Sequence, residues 1–354
     1  MNDLKKQGKI IWQSPSNIAL IKYWGKYANQ IPANPSISIS LQNCYTQTEI
    51  NYQYRNQPSG FSDLEFTFEN KPEPKFAQRI VTYFESIESE MPFLKQYKLQ
   101  INSYNTFPHS SGIASSASAM SALALGICTL ESIYKNNAEL LTESFFNRAS
   151  YFARLASGSA SRSVYGGFAL WGKSDSHTES SDLFAMAVNN NISDTFKNMH
   201  NSILIVDSAK KELSSSNGHK LMETNPFAKA RYQQANANLT KLLTALQSDN
   251  FNIFADIIEN EALSLHSMMM TSIPWVTLIK PNTLEIINRI KQFRMQTGTK
   301  ITFTLDAGPN VHVLYPETEK EKVSQFIKAE LIGYCENQMI INDLQGNGPT
   351  RIYG

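Results

Sequence analysis

The sequence holds only three cysteines in 354 residues, Cys44, Cys128 and Cys335, widely spaced and with no C-x-x-C pair. So sparse and odd a set argues against a disulfide framework or a cysteine zinc knuckle and fits a reducing compartment. An excess of one charge sign is also lacking: 32 basic against 31 acidic side chains leave a formal charge of +1. That balance gives no support to a broad nucleic-acid-binding face, although a local anion site needs only a few cations. No apolar run reaches the length expected of a membrane span. Residues 1–12 contain lysines but no apolar h-region, so a secretory signal is not expected. A soluble, cytoplasmic protein is the expectation. The six histidines show no metal-ligand spacing, and no G-x-S-x-G elbow supports Ser-His-Asp hydrolysis. Internal repeats and Pro-rich linkers are missing as well.

What is present is a globular composition, 42% hydrophobic, in a chain long enough for two lobes. Residues 36–41 alternate Ile37, Ile39 and Leu41 with serines, and residues 47–54 place Thr48, Ile50, Tyr52 and Tyr54 on one face. Both show the period of two of a strand. Residues 64–68 and 97–103 are further strand candidates, with a helix over 75–89. Helices are expected at 118–130 and 138–156, followed by a Gly/Ser turn at 157–161, an apolar run at 164–171 and a polar loop at 174–181. Residues 202–207 read as a buried strand. Residues 227–247, 251–266 and 282–296 read as helices, the last opened by Pro281 and closed by Gly298. Strands at 299–305 and 311–315 flank a tight turn. The lobe boundary falls near 174–201, giving lobes of residues 1–190 and 191–354.

Four islands carry chemistry. Residues 107–119 read F-P-H-S-S-G-I-A-S-S-A-S-A, a loop of tiny residues feeding a helix. Small side chains allow close backbone approach, and a helix start favours an anion. A tightly packed helix start that binds nothing is the alternative. Residues 14–26 gather Asn17, Lys22, Tyr23 and Lys26, either an oxyanion site or a solvated edge. Residues 156–167 set a single Arg162 among serines and glycines, and its planar fork matches a carboxylate or phosphate. A buried acid would pair with it equally well. Residues 302–310, T-F-T-L-D-A-G-P-N, put Asp306 at the end of an apolar strand. There it can project into a cleft or simply cap the bend.

Together these islands resemble the diphosphomevalonate decarboxylase family, within the small-molecule kinase superfamily of galactokinase, homoserine kinase, mevalonate kinase and phosphomevalonate kinase (GHMP). The matching stretches are N-I-A-L-I-K-Y-W-G-K, G-I-A-S-S-A-S-A, S-G-S-A-S-R-S-V-Y-G-G-F, S-S-S-N-G-H, E-N-E-A-L-S-L-H and T-L-D-A-G-P-N, running from residue 14 nearly to the last residues. The resemblance implies an α+β, two-lobed GHMP kinase-like fold. Its N-terminal lobe would be of the ribosomal protein S5 domain 2-like type and its C-terminal lobe ferredoxin-like, with the active site in the cleft between them. It implies ATP and Mg2+, a diphosphorylated small-molecule substrate and a homodimer. Pro108, Ser110, Ser111, Gly112, Ala114, Ser115, Ser116 and Ser118 would cradle the nucleotide, with Ser116 at the magnesium ion. Asp306 would act on the C3 hydroxyl, Arg162 would grip the C1 carboxylate, and Asn17 and Lys22 would flank the reacting centre. Tyr23, Trp24, Lys26, Ser157, Gly158, Ser159 and Ser215 would contact substrate.

The implied reaction is ATP-dependent phosphorylation of a tertiary hydroxyl, loss of that phosphate and departure of the carboxylate as CO2. Rival readings are a phosphomevalonate decarboxylase or a mevalonate 3-kinase of the same fold, and a silent nucleotide-binding regulator. The joint presence of Asp306, Arg162 and Lys22 favours decarboxylation. Two departures from the family pattern bear on binding. Asn34 is followed by Pro35, which has no backbone donor, and Ser216 stands where some bacterial relatives carry a basic residue. His219 and His266 lie in matching stretches, and a structural role is the plainer reading of each.

Overall fold

A computed structural model describes residues 6–108, 113–136, 141–209 and 215–354. Strands β1 (Gln7–Ile21) and β2 (Ser36–Tyr54) run antiparallel along nearly their whole length. Their register shifts between Pro15 and Asn17, a bulge that bends the pair. The bend faces Gln42 and Asn43, the exposed break in an otherwise largely buried β2. Beyond it lie β3 (Glu65–Phe68), β4 (Lys71–Pro72), helix α1 (Pro74–Ser86) and β5 (Tyr97–Asn105). Helix α2 (Ser115–Lys135), helix α3 (Glu143–Ala156), a 3-10 turn (Gly158–Val164), β6 (Phe168–Trp171) and β7 (Met186–Ala187) follow.

Helix α2 explains why its sequence is apolar nearly all round. Ala122, Ala124, Leu125 and Ile127 are fully buried, and a Cβ at Gly126 would meet Ile50 Cδ1 at 2.5 Å. Only tiny residues let the helix lie this close to the sheet. At 21 residues it is long and apolar enough to cross a membrane by length and composition, against the expectation that no segment approaches that length. Yet 78% of its apolar window is buried inside the fold, so its apolar surface is already occupied by the core.

The second lobe holds β8 (Met199–Leu204), α4 (Ser215–Leu221), α5 (Ala228–Gln247), α6 (Phe251–Met270), α7 (Pro281–Thr297), β9 (Thr302–Leu305), β10 (Val311–Pro316), α8 (Lys320–Phe326) and β11 (Ile340–Leu344). Its sheet has the order β11-β8-β10-β9, all antiparallel. The start of α7 at Pro281 and its left-handed cap at Gly298 (φ 66°) follow the sequence signals.

The last strand, β12 (Thr350–Tyr353), leaves the second lobe and pairs with β1. The first sheet therefore reads β12-β1-β2-β5-β3-β4, with β6 beside β2 and β7 beside β6. The lobes also share a core, in which Ile18, Ile37, Ile39 and Leu41 pack with Leu239, Leu242, Phe251 and Phe254. Asp343 of β11 reinforces the junction. Its carboxylate accepts the N–H groups of Gln42 (3.0 Å), Asn43 (2.8 Å) and Cys44 (2.7 Å) at the bend of β2.

Candidate active site

A cavity of about 570 Å3 opens where the lobes meet. It is lined from one side by Asn17, Lys22, Tyr23, Trp24 and Lys26, from another by Ala114, Ser115 and Ser116, and from a third by Ser157, Gly158, Ser159 and Arg162. Asp306 closes it from the second lobe. Four islands that are distant in sequence thus share one wall.

Arg162 is buried, and the hydroxyls of Ser36 (2.7 Å from Nη1) and Ser38 (3.0 Å from Nε) hold its guanidinium. These serines are the polar half of the β2 alternation. Trp171 lies under the guanidinium at 5.8 Å. Burial lowers its pKa to about 10, which Tyr23 and Asp306 oppose. Two of its five donors go to the serines, and the group is fixed where it lines the cavity.

Lys22 ends β1 fully buried, its Nζ donating to the Ala19 carbonyl at 2.5 Å. Burial pushes its pKa down to about 8; Asp306 and Glu261 raise it, and Arg162 and Arg231 lower it. Glu261 of α6 accepts the Lys22 backbone N–H at 2.9 Å and is itself ion-paired with buried Arg231. Asn17 donates to Ser163 Oγ (2.8 Å) and the Ser159 carbonyl (3.2 Å), so the 3-10 turn aims it.

Asp306 follows the last residue of β9. Its carbonyl helps make the turn, accepting from Gly308 N–H (2.8 Å) and lying 3.1 Å from His266 Nε2. The carboxylate lines the cavity, electrostatically coupled to Lys22 and Arg162. A carboxylate and two buried cations thus share one partly dry cavity, where their interaction is stronger than in water.

Next to this centre, the Tyr23 hydroxyl is buried without a hydrogen-bond partner among the described residues, and burial drives its pKa up. The Tyr23 ring packs edge-on to Trp171 at 4.7 Å and against His219 at 4.3 Å. Lys26 bonds Gln30 Oε1 at 2.8 Å, and its pKa is lowered by burial and then by Lys220.

At the start of α2, no side chain among the described residues caps Ala114, and Ala114, Ser115 and Ser116 of this helix start line the cavity, where its first N–H groups have no intrahelical acceptor. Ser118 is turned away from it. Its hydroxyl is buried against Thr46 Oγ1 (2.6 Å) and the Ser115 carbonyl (3.2 Å), tying helix to sheet. Ser118 is not among the residues lining the cavity, and the contacts its hydroxyl makes are packing contacts. Pro108 is exposed and outside the cavity lining. Ser110, Ser111 and Gly112 lie outside the described residues, and Ser215 opens α4 with its side chain undescribed.

Sequence reasoning gave no role to Glu261, although it stands in the quoted E-N-E-A-L-S-L-H stretch. It also missed an apolar wing of the cavity formed by Phe66, Phe68 and Phe76, with Arg79 over the Phe76 ring at 5.7 Å. Phe66 and Phe68, on a strand candidate, and Phe76 and Arg79, on a helix candidate, carry only periodicity as a signal. His219, for which a structural role is the plainer reading from sequence, also lines the cavity, against the Tyr23 and Trp24 rings.

Two lobes sharing a core, and a cavity lined by a helix start of small residues together with a carboxylate and two buried cations, define a two-lobed small-molecule-kinase type of protein. Family comparison narrows it. Residues 14–182 match the diphosphomevalonate decarboxylase-like N-terminal domain, and residues 201–347 match the mevalonate 5-diphosphate decarboxylase C-terminal domain. The chain belongs to the diphosphomevalonate decarboxylase family. It is 28% identical over 334 residues to the diphosphomevalonate decarboxylase of Ganoderma lucidum, covering 89% of this chain and 79% of that relative. It resembles the mevalonate diphosphate decarboxylase structure from Staphylococcus aureus with a TM-score of 0.81 and 28% identity, covering 98% of each chain. A structure of MDDEF in complex with MVAPP, AMPPCP and magnesium matches with a TM-score of 0.80 and 26% identity, covering 98% of this chain and 100% of that one.

Proposed function

We propose that this cavity carries out the ATP-dependent decarboxylation of (R)-5-diphosphomevalonate to isopentenyl diphosphate, CO2, ADP and phosphate. The observation that carries the reading is that Asp306 lines the same cavity as buried Lys22 and Arg162 and is electrostatically coupled to both. In this reading Asp306 orients the C3 hydroxyl and accepts its proton. Once that proton has passed on to a phosphate oxygen or to solvent, the restored carboxylate stabilises the positive charge that develops at C3 as phosphate leaves. Arg162, held by Ser36 and Ser38, grips the carboxylate and sets the angle at which the C–C bond breaks. Lys22 offsets anionic charge around the reacting oxygen, and Tyr23, Lys26 and Ser157 to Ser159 receive the diphosphate.

The residues present fit magnesium-ATP. The uncapped start of α2 offers backbone donors to phosphates, and the aromatic wing of Phe66, Phe68 and Phe76 offers a flat face to a nucleobase. Among the described residues no three His, Cys, Asp or Glu side chains cluster as a metal site, so magnesium would be held chiefly by phosphate oxygens, with Ser116 adding a hydroxyl. When bound, magnesium-ATP supplies the phosphoryl group and neutralises its charge.

The test is an assay with magnesium-ATP and 5-diphosphomevalonate that follows CO2, ADP and phosphate together. Equal release of all three is expected. ADP without CO2 would leave a kinase, and no product would sink the catalytic reading. Asp306→Asn and Arg162→Gln are each expected to lower kcat at least about a hundredfold, in line with loss of a preorganised electrostatic group, while the fold survives.

A further inference from the structure

His219 lies in α4, 6% exposed, between the rings of Tyr23 (4.3 Å) and Trp24 (4.9 Å). Its Nδ1 accepts the backbone N–H of Gly25 at 2.9 Å. A backbone amide can only donate, so Nδ1 is the acceptor and the ring proton belongs on Nε2. The ring lines the cavity. With Nδ1 engaged at the wall, Nε2 is its polar contact with that space. Burial and then the neighbouring Lys26 and Arg162 hold its pKa down near 3, against the opposing pull of Asp306, so the ring stays neutral and the tautomer fixed.

We propose that His219 is a substrate-binding residue whose Nε2–H donates to a phosphate oxygen of the bound substrate. The inference rests on the reaction proposed above. The ring stands beside Lys26 and Tyr23, the diphosphate end of that reading, and borders Asp306 at the reacting end. It is thus placed at the inner phosphate, nearest the carbon chain, rather than at the carboxylate that Arg162 holds. A neutral donor suits this position. It adds a hydrogen bond to an oxyanion without adding a further charge to a lining that already carries Lys22, Lys26 and Arg162.

Two substitutions separate the halves of the ring. In His219→Asn, the amide oxygen can still accept the Gly25 N–H, but the Nε2 donor is gone. In His219→Gln, the amide nitrogen falls near the Nε2 position and keeps the donor. Calorimetric titration of 5-diphosphomevalonate into the nucleotide-free protein, with steady-state kinetics beside it, reads the difference. Affinity is expected to fall about ten- to a hundredfold in His219→Asn, as for loss of a hydrogen bond to a charged group. His219→Gln should stay within about fivefold, and the KM for ATP should not move in either. Wild-type affinity in His219→Asn, or a larger loss in His219→Gln, would overturn the proposal and leave a ring that only buttresses Gly25.

A measurement on the unmodified protein needs no variant to fold. With 15N-labelled histidine, one ring should show an acceptor Nδ1 and a protonated Nε2, whose proton moves downfield when 5-diphosphomevalonate is added. An Nδ1–H tautomer, or no movement on saturation, overturns the assignment. A wild-type protein that binds no 5-diphosphomevalonate overturns this proposal and the functional reading together. Wild-type binding with an unaffected His219→Asn overturns this one alone.

Discussion

The backbone N–H of Lys22 donates to Oε2 of Glu261 at 2.9 Å, joining the end of β1 to the middle of α6. A cavity-lining lysine of one lobe is therefore set in place by a carboxylate of the other. That carboxylate is fully buried and engaged on both oxygens, by Arg231 and by Asn238 Nδ2 at 2.7 Å.

Glu261→Ala leaves the buried Arg231 charge unpaired and the Lys22 amide without its acceptor. Stability should drop by about 3–5 kcal/mol, the usual cost of removing one partner of a buried pair. Glu261→Gln, which retains an acceptor oxygen, should lose less. Urea unfolding midpoints at constant m-value check both, and a loss below about 1 kcal/mol in the alanine variant would contradict the anchoring role.

Lys22 also sets a pH dependence. Its charged form is the one that can offset Asp306 and the substrate anions, and burial lowers its pKa from 10.5 to about 8. Below that value the lysine is charged, so kcat/KM should be level there and fall about tenfold per unit above it. In kcat the limb should move to higher pH, because bound anions favour the ammonium. A kcat/KM level through pH 9 would remove Lys22 from the role. The unfolded chain holds this proton more tightly, so the lysine's contribution to stability should rise between about pH 8 and 10.5.

Gly158 bears on the diphosphate end. A Cβ there would stand 2.7 Å from the Tyr23 hydroxyl and 2.8 Å from Trp171. Gly158→Ala must displace the tyrosine, at about 1–3 kcal/mol for overpacking. The KM for 5-diphosphomevalonate should rise about tenfold with the KM for ATP unchanged. Adding Tyr23→Phe removes the closest clash and should restore part of the stability. Full activity in Gly158→Ala would show that the Tyr23 ring is not held where the site needs it.

Asp343→Ala strips three consecutive amides of β2 of their common acceptor. A loss of about 1–3 kcal/mol is expected, carried chiefly by the buried Cys44 donor left unsatisfied, with Asp343→Asn in between. Hydrogen exchange at Gln42, Asn43 and Cys44 should quicken selectively. Uniform exchange across β2 would point to a global effect instead.

Asp343 also shows where sequence reading stops. Residues 36–41 and 47–54 read as two separate alternating segments, because the period of two is broken between them. They form one strand because a carboxylate 300 residues away accepts the Asn43 amide in the bend. Strand β1 escaped notice for a related reason: it is buried on both faces through much of its length, so it shows no alternation, and its polar residues read as a motif. Helix α2 and α7 were legible because composition and caps are local. Arg162, Lys22 and Asp306 were legible as residue types in a family pattern. Ser36 and Ser38 were visible only as spacing, and Glu261 and His219 carry roles that depend on what lies across the cleft.

The pairing of β12 with β1 has a consequence for how the molecule is made. Tyr353 lies opposite Ile11, so the edge of the first sheet stays open until almost all of these residues have left the ribosome. Contacts this distant in sequence carry a loop-closure cost before they give any return, and they slow folding. During synthesis the outer edge of β1 is a row of unpaired amides and carbonyls, open to strands of other chains. Deleting residues 350–354 should therefore show first as aggregation of newly made protein, with a smaller effect on molecules that do fold.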